Sequence, residues 1–191
     1  MNLLKDRIVK DGVVIDNRIL KVDSFLNHQM DVKLFNEIGK EFKKKFEGQT
    51  VTKILTVETS GIAIAVIAAQ YFDVPVVFAK KTTGNNMDIL TYDAKVYSFT
   101  KDVEYTIKVS KKYINKGDKI LIIDDFLASG SAVSGLIEIV KKGEADVCGV
   151  GIVIEKLFQH GRDCIINQGI QLESLAIIEN MENGKVIFRD Q

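Results

Sequence analysis

Residues 119–132 read KILIIDDFLASGSA, and this stretch decides the fold. Ile120, Leu121, Ile122 and Ile123 form an unbroken apolar run, the pattern of a strand buried on both faces. Two carboxylates, Asp124 and Asp125, follow at its C-terminal end. Then come small residues, Ala128, Ser129, Gly130, Ser131 and Ala132, leading into a helix predicted over Ser131–Lys142. In open α/β sheets ligands bind outside the carboxyl ends of strands. A loop of small residues lets backbone N–H groups close around an anion, and the start of the next helix adds partial positive charge. The carboxylates suit hydroxyl donors or a hydrated Mg²⁺ instead. A ligand with a phosphate at one end and a vicinal diol near a metal satisfies both halves, and a ribose 5-phosphate is such a ligand.

Outward from this stretch, further short apolar runs lie at Ile54–Val57, Val74–Ala79, Val96–Phe99, Tyr105–Val109 and Val147–Ile154, with helical stretches between several of them, chiefly Ile62–Tyr71. Such alternation indicates an α/β domain with a mostly parallel central sheet and helices on both faces. A short N-terminal helix comes first, and Val13–Val22 reads as extended. Met30–Phe46 is an amphipathic helix: Leu34, Ile38, Phe42 and Phe46 recur every four residues, Asp31 can cap its start and Gly48 can end it. Lys81–Tyr92, KTTGNNMDILTY, is polar and sits between two strands, the mark of a loop that is either functional or disordered. There is no internal repeat, and the one proline is Pro75. Residues 1–191 are expected to form one domain.

Composition narrows the function classes. The chain is 46% hydrophobic and 27% charged, a globular balance. Its 26 basic and 26 acidic residues give zero formal charge, which recommends neither nucleic acid nor an anionic membrane as a partner. Met1–Gly12 lacks the apolar centre of a signal peptide, and the uncharged run from Gly61 to Phe72 is too short to span a bilayer. Cys148 and Cys164 have no metal-like spacing and are expected to be reduced; His28 and His160 complete no triad. A cytoplasmic location is expected.

The order of strand, two acids, apolar pair (Phe126, Leu127) and small-residue loop resembles the signature of the type I phosphoribosyltransferases. It departs from their common Ala-Thr-Gly-Gly-Thr loop at Ser131 and at Ala132, where a hydroxyl is missing. The resemblance implies a twisted, mostly parallel sheet with flanking helices and a small base-binding hood, drawn from about residues 1–30 and 156–191. It implies transfer of ribose from phosphoribosyl diphosphate (PRPP) to a nitrogen nucleophile through an oxocarbenium-like transition state. Asp124 and Asp125 would hold the ribose hydroxyls, directly or through metal-bound water, and residues 128–132 the 5′-phosphate. Mg²⁺ would be held mainly by PRPP. Glu58, Thr59, Ser60 and Gly61, a second strand–loop–helix anion site, look like the family's pyrophosphate loop. Lys81, rather than Lys80, would reach pyrophosphate. Active relatives dimerise, so a homodimer is expected.

The base is read from the hood. Leu20, Phe25 and Leu26 could form a lid over an aromatic ring, and Asn27 offers a donor and acceptors to the ring edge. This segment, with TVETSGIA, VPVVFAKK, KVYSFTK and GIVIEKLFQHGRD, resembles the bacterial xanthine phosphoribosyltransferases, which implies that Leu20 and Asn27 contact the base. Lys156, at a strand end, would donate to a 6-oxo group, and Phe158 could stack on the ring. A 6-oxopurine suits Lys156 better than adenine. Among 6-oxopurines the resemblance favours xanthine, with guanine or hypoxanthine as the alternative. A PRPP-sensing regulator of the same fold is a remoter reading, without a DNA-binding segment to support it.

Overall fold

The structure, a computed structural model, describes residues 1–82, 90–98 and 103–189. From the N-terminus, helix α1 (Asn2–Asp11) leads into a hairpin of β1 (Val13–Ile15) and β2 (Ile19–Lys21). A π-helical turn (Asp23–Asn27) and helix α2 (Val32–Lys45) follow. Next come β3 (Lys53–Val57), α3 (Ser60–Phe72), β4 (Val76–Thr82), β5 (Thr91–Ser98) and β6 (Val103–Ser110). The chain closes with β7 (Lys119–Leu127), α4 (Ser131–Lys142), β8 (Asp146–Lys156), a short α5 (Asp163–Ile166), β9 (Leu172–Glu182) and β10 (Lys185–Phe188).

One eight-stranded sheet runs in the order β10-β9-β8-β7-β3-β4-β6-β5. The five central strands from β9 to β4 pair in parallel, while β10 and the β6–β5 pair extend the edges antiparallel. Alternation along the strands sorts side chains between two cores. Leu121 and Ile123 join Ile54 on the side of α2 and α3, while Ile120 and Ile122 join Leu55 and Val57 on the side of α4. The helix over Met30–Phe46 is present as α2, slightly shorter, and the Asp31 carboxylate accepts from the N–H groups of Lys33 and Leu34 at 3.1 Å. Such caps contribute about 1 kcal/mol.

Three segments differ from the sequence reading. Val13–Val22 is a hairpin rather than one extended run, because Asp16 and Asn17 both take left-handed backbone (φ 51° each) and reverse the chain. Lys81–Thr82 belong to β4 and Thr91–Tyr92 to β5, so both ends of the polar segment are strand; its residues 83–89 lie outside the described residues, as does Phe99. Residues 172–178, placed by sequence in the hood, pair in parallel with β8 and so belong to the main sheet. Beyond them the chain does return to the N-terminus. The Met1 ammonium donates to Leu175 O (2.7 Å), Lys5 Nζ to Arg189 O (3.3 Å) and Gly184 N to Asn17 Oδ1 (3.3 Å). Cys148 and Cys164 are free thiols, and burial pushes that of Cys148 up to about 11. His28 and His160 are exposed.

Candidate active site

The carboxylates sit near the C-terminal end of β7, past its pairing with β3 but still alongside β8. The Asn27 side chain of the hood lies close enough to Asp125 to favour its ionised form. Asp124 places its Oδ1 beside Gly61 at the start of α3, and its charge reaches the phenol of Tyr105. Asp124 is 5% exposed. Its Oδ1 accepts from Asp125 N (3.0 Å), and Asp125 Oδ1 accepts from Phe126 N (2.9 Å). Burial raises both acids, Asp124 well above the usual carboxylate range, and the charge of Asp125 adds to the rise at Asp124. The Lys81 ammonium pulls Asp124 back toward ionisation.

The small-residue loop follows directly. Gly130 takes φ +82°, a left-handed conformation that glycine adopts without strain, and hands the chain to α4 at Ser131. The Ser131 hydroxyl accepts from Tyr97 N at 3.0 Å, which ties β5 to the helix start. A cavity of about 140 Å³ lies on Ala128, Ser129, Gly130, Ser131 and Ala132, with Tyr97, Tyr105 and Gln159 on its walls. That volume suits a phosphoryl group and part of a sugar rather than a whole nucleotide, since complete ligand sites run to roughly 300–1,000 Å³.

The second anion loop converges on the same place. β3 ends at Val57, the Glu58–Thr59 peptide is cis, and α3 begins at Ser60. Glu58 N donates to Ala79 O (3.0 Å), and the Glu58 carboxylate accepts from Lys81 N (2.5 Å), which locks the loop to the end of β4. Gly61 is pressed against the carboxylate site. A Cβ there would lie 2.0 Å from Thr56 Oγ1 and 2.9 Å from Asp124 Oδ1. Thr56 is fully buried and its hydroxyl has no hydrogen-bond partner among the described residues. Strand parity separates the two lysines. Lys81 Nζ stands 5.5 Å from the centre of the Tyr105 ring, on the site side, whereas Lys80 lines a groove on the opposite face with Val76 and Phe78.

The hood residues divide. Asn27 is half-buried at the end of the π-helical turn and lies close to Asp125. Leu20 is 6% exposed and packs within the hood core beside Gly12. Lys156 ends β8 and donates to Arg18 O (3.2 Å), and burial holds its ammonium below the usual lysine range. Its Nζ stands 5.6 Å from the centre of the Phe126 ring. Phe158, the aromatic singled out by sequence, is half-buried against the hood core. Sequence reading gave Tyr105, Thr56 and Gly161 no role and used Phe126 only as an apolar spacer. For Tyr105 and Thr56 the alternation of β6 and β3 was the available signal. Gly161, which touches the small-residue loop from a distant segment, left none.

Residues 22–166 match the phosphoribosyl transferase domain family. Proteins described as xanthine phosphoribosyltransferase from Clostridium tetani and Clostridium novyi are 68% and 65% identical over 190 residues, covering 99% and 100% of this chain and the whole of each relative. Among solved structures, adenine phosphoribosyltransferase from Rhodothermus marinus (TM-score 0.74, 20% identity, 93% of this chain and 100% of that one) shares the fold. So does the Giardia lamblia enzyme complexed with 9-deazaadenine (TM-score 0.76, 19% identity, 91% and 96%). With the paired acids between two anion loops and full-length identity this high, the chain belongs to the xanthine phosphoribosyltransferases of the type I phosphoribosyltransferase family.

Proposed function

We propose that this chain transfers the 5-phosphoribosyl group of PRPP to N9 of xanthine, yielding xanthosine 5′-monophosphate and pyrophosphate. The observation that carries the reading is the Asp124–Asp125 pair, the first buried and the second half-buried, set between the loop Ala128–Ala132 and the loop Glu58–Gly61, with Lys156 on the adjoining strand. The 5′-phosphate rests on the N–H groups of residues 128–132 and the start of α4, and pyrophosphate rests on residues 58–61 and Lys81. The bond from C1′ to the pyrophosphate oxygen breaks and a bond from C1′ to N9 forms with inversion, while the N9 proton leaves to water. Positive charge that develops on the sugar faces the carboxylates, which need no reorganisation to stabilise it. Lys156 donates to the 6-oxo group, and Asn27 reaches the ring edge from the hood.

Mg²⁺ fits this donor set as a passenger of PRPP. PRPP would supply most of its ligands, and Asp124 and Asp125 would hold it directly or through its bound water. When bound it neutralises the leaving pyrophosphate. We also propose a homodimer, supported by the groove around the exposed Phe78 and Tyr113, with Val76, on the uncovered face of β4 and β6. A cytoplasmic location is in keeping with the two free thiols. No helix of the described residues is long and apolar enough to cross a membrane.

The decisive experiment supplies PRPP and Mg²⁺ with xanthine, guanine, hypoxanthine and adenine separately. Xanthine is expected to turn over fastest; preference for guanine or hypoxanthine would move the assignment to that base and leave the PRPP site intact. PRPP binding without turnover of any base would favour the regulatory reading.

Two variants probe the ends of the site. Lys156→Met is expected to raise KM for xanthine by about 10- to 100-fold, the cost of one charged hydrogen bond, with KM for PRPP little changed. In the wild type, base binding should weaken on the alkaline side before an ordinary lysine would deprotonate, because burial lowers the Lys156 value. Lys81→Ala should raise KM for PRPP and shift the acid limb of the kcat profile to higher pH. The sign follows from the lost ammonium, which now favours ionisation of Asp124. An unmoved acid limb in a Lys81→Ala pH profile would remove Lys81 from the site.

A further inference from the structure

The loop that takes the phosphate is braced from outside by a segment with no part in the transfer chemistry. After β8 the chain makes a short turn at Leu157–Gln159, passes through His160 in left-handed backbone (φ 60°) and arrives at Gly161. Gly161 N donates to Ala128 O at 3.0 Å. The two backbones are in contact. A Cβ on Gly161 would stand 2.3 Å from Ala128 O and 2.7 Å from Gly130 N, and one on Gly130 would stand 2.9 Å from Gly161 O. The next residue, Arg162, turns back to Glu155. Its Nε donates to Oε1 at 2.7 Å and its Nη2 to Oε2 at 2.6 Å, a two-pronged pair on a carboxylate that is 1% exposed. Glu155 in turn pairs in register with Leu127, the residue just before the loop.

We propose that Arg162 is a positioning residue for the phosphate loop: gripping Glu155, it holds Gly161 against Ala128 and Gly130 and so sets affinity for the 5-phosphate end of the substrate. The inference rests on residues 128–132 being the phosphate site. A guanidinium suits the task because its planar fork meets both carboxylate oxygens at once, which fixes the direction as well as the distance of the attached backbone. The Ala128 carbonyl is thereby held by Gly161, which fixes the backbone of the loop at its start. The end of β8 serves the two ends of the substrate separately. Successive residues of a strand point to opposite faces, so Lys156 goes to the hood and Arg18, and Glu155 goes to Arg162 and the phosphate loop.

The test uses Arg162→Lys, Arg162→Met and the double variant Glu155→Gln/Arg162→Met, which deletes the pair without stranding a buried charge. Titration calorimetry with ribose 5-phosphate measures the phosphate site without any base, and steady-state kinetics give KM for PRPP and xanthine. Arg162→Met, or the double variant if the single one does not fold, should bind ribose 5-phosphate about tenfold more weakly, the scale of one or two misplaced hydrogen bonds. KM for PRPP should rise in step while KM for xanthine holds, and Arg162→Lys should recover part of the loss. Unchanged ribose 5-phosphate affinity in the folded variants, or an equal rise in both KM values, would overturn the proposal. Failure of the wild type to bind ribose 5-phosphate would overturn the phosphate-loop reading and this inference together. A wrong base would show instead as absent xanthine turnover with these affinities intact.

Discussion

Asp124→Asn is expected to lower kcat by about 100- to 1,000-fold, the scale of losing one preorganised charge from a transition state, while leaving KM for xanthine nearly unchanged. The carboxylate is 5% exposed and fixed by Asp125 N at 3.0 Å, so it meets charge developing on the ribose without first moving. Its protonated form supplies no such charge. Because burial and Asp125 raise its pKa, wild-type activity should fall, as pH drops, at a higher pH than an ordinary aspartate would dictate.

The same environment makes an opposite prediction for stability. A carboxyl whose folded pKa lies above its unfolded value binds its proton more tightly in the fold. Its favourable contribution is complete below the unfolded value and is lost as pH rises through the folded one. The wild type therefore carries a buried, repelling charge above that window. Asp124→Asn removes it and should melt no lower than the wild type when scanned on the alkaline side. A lower melting temperature there would mean that ionised Asp124 is held by stabilising partners, and the desolvation account would fail. Opposed effects on rate and melting temperature are the signature of an acid kept for chemistry at a cost to the fold.

Gly61→Ala is the second large effect. The added carbon would lie 2.0 Å from the buried hydroxyl of Thr56 and 2.9 Å from Asp124 Oδ1, contacts that rigid groups cannot make. Overpacking of this kind costs about 1–3 kcal/mol, and here the strain falls on the start of α3 and on the loop Glu58–Ser60. We expect a lower melting temperature together with a loss of about 100-fold in kcat/KM for PRPP, since a misplacement of roughly 1 Å carries that cost. The double variant Thr56→Ala/Gly61→Ala removes the nearer obstacle and should regain most of the stability. It should recover less of the activity, because the Asp124 contact remains. Recovery of neither would place the damage elsewhere than at Thr56.

What was legible in the sequence was local. The run Ile120–Ile123, the acids and the small residues after them are contiguous, so strand, site and helix start could be read together. The same holds for Val57–Gly61, and for α2, where a four-residue recurrence and the Asp31 cap mark one amphipathic face. The hairpin at Asp16 and Asn17 was harder to see. Its signal is two adjacent residues that tolerate left-handed backbone, and the apolar spacing around them fits a single strand equally well. Residues 172–178 pair with β8 through backbone hydrogen bonds, which do not depend on side-chain identity, so nothing in their composition distinguished sheet from hood.

The tertiary structure decided the rest, because each such feature joins residues far apart in the chain. The fold sends Asp125 to Asn27 and Asp124 toward Tyr105 and Lys81, turns Lys81 into the site and Lys80 away from it, and lodges Leu20 in the hood core. It also brings Gly161 and Arg162 against the phosphate loop and Glu155. Contiguous sequence determined which chemical groups this protein has and the strand ends that carry them, since local backbone preference and side-chain periodicity are properties of short segments. Strand order and register determined which of those groups meet, since pairing across the sheet is settled by packing of the whole chain.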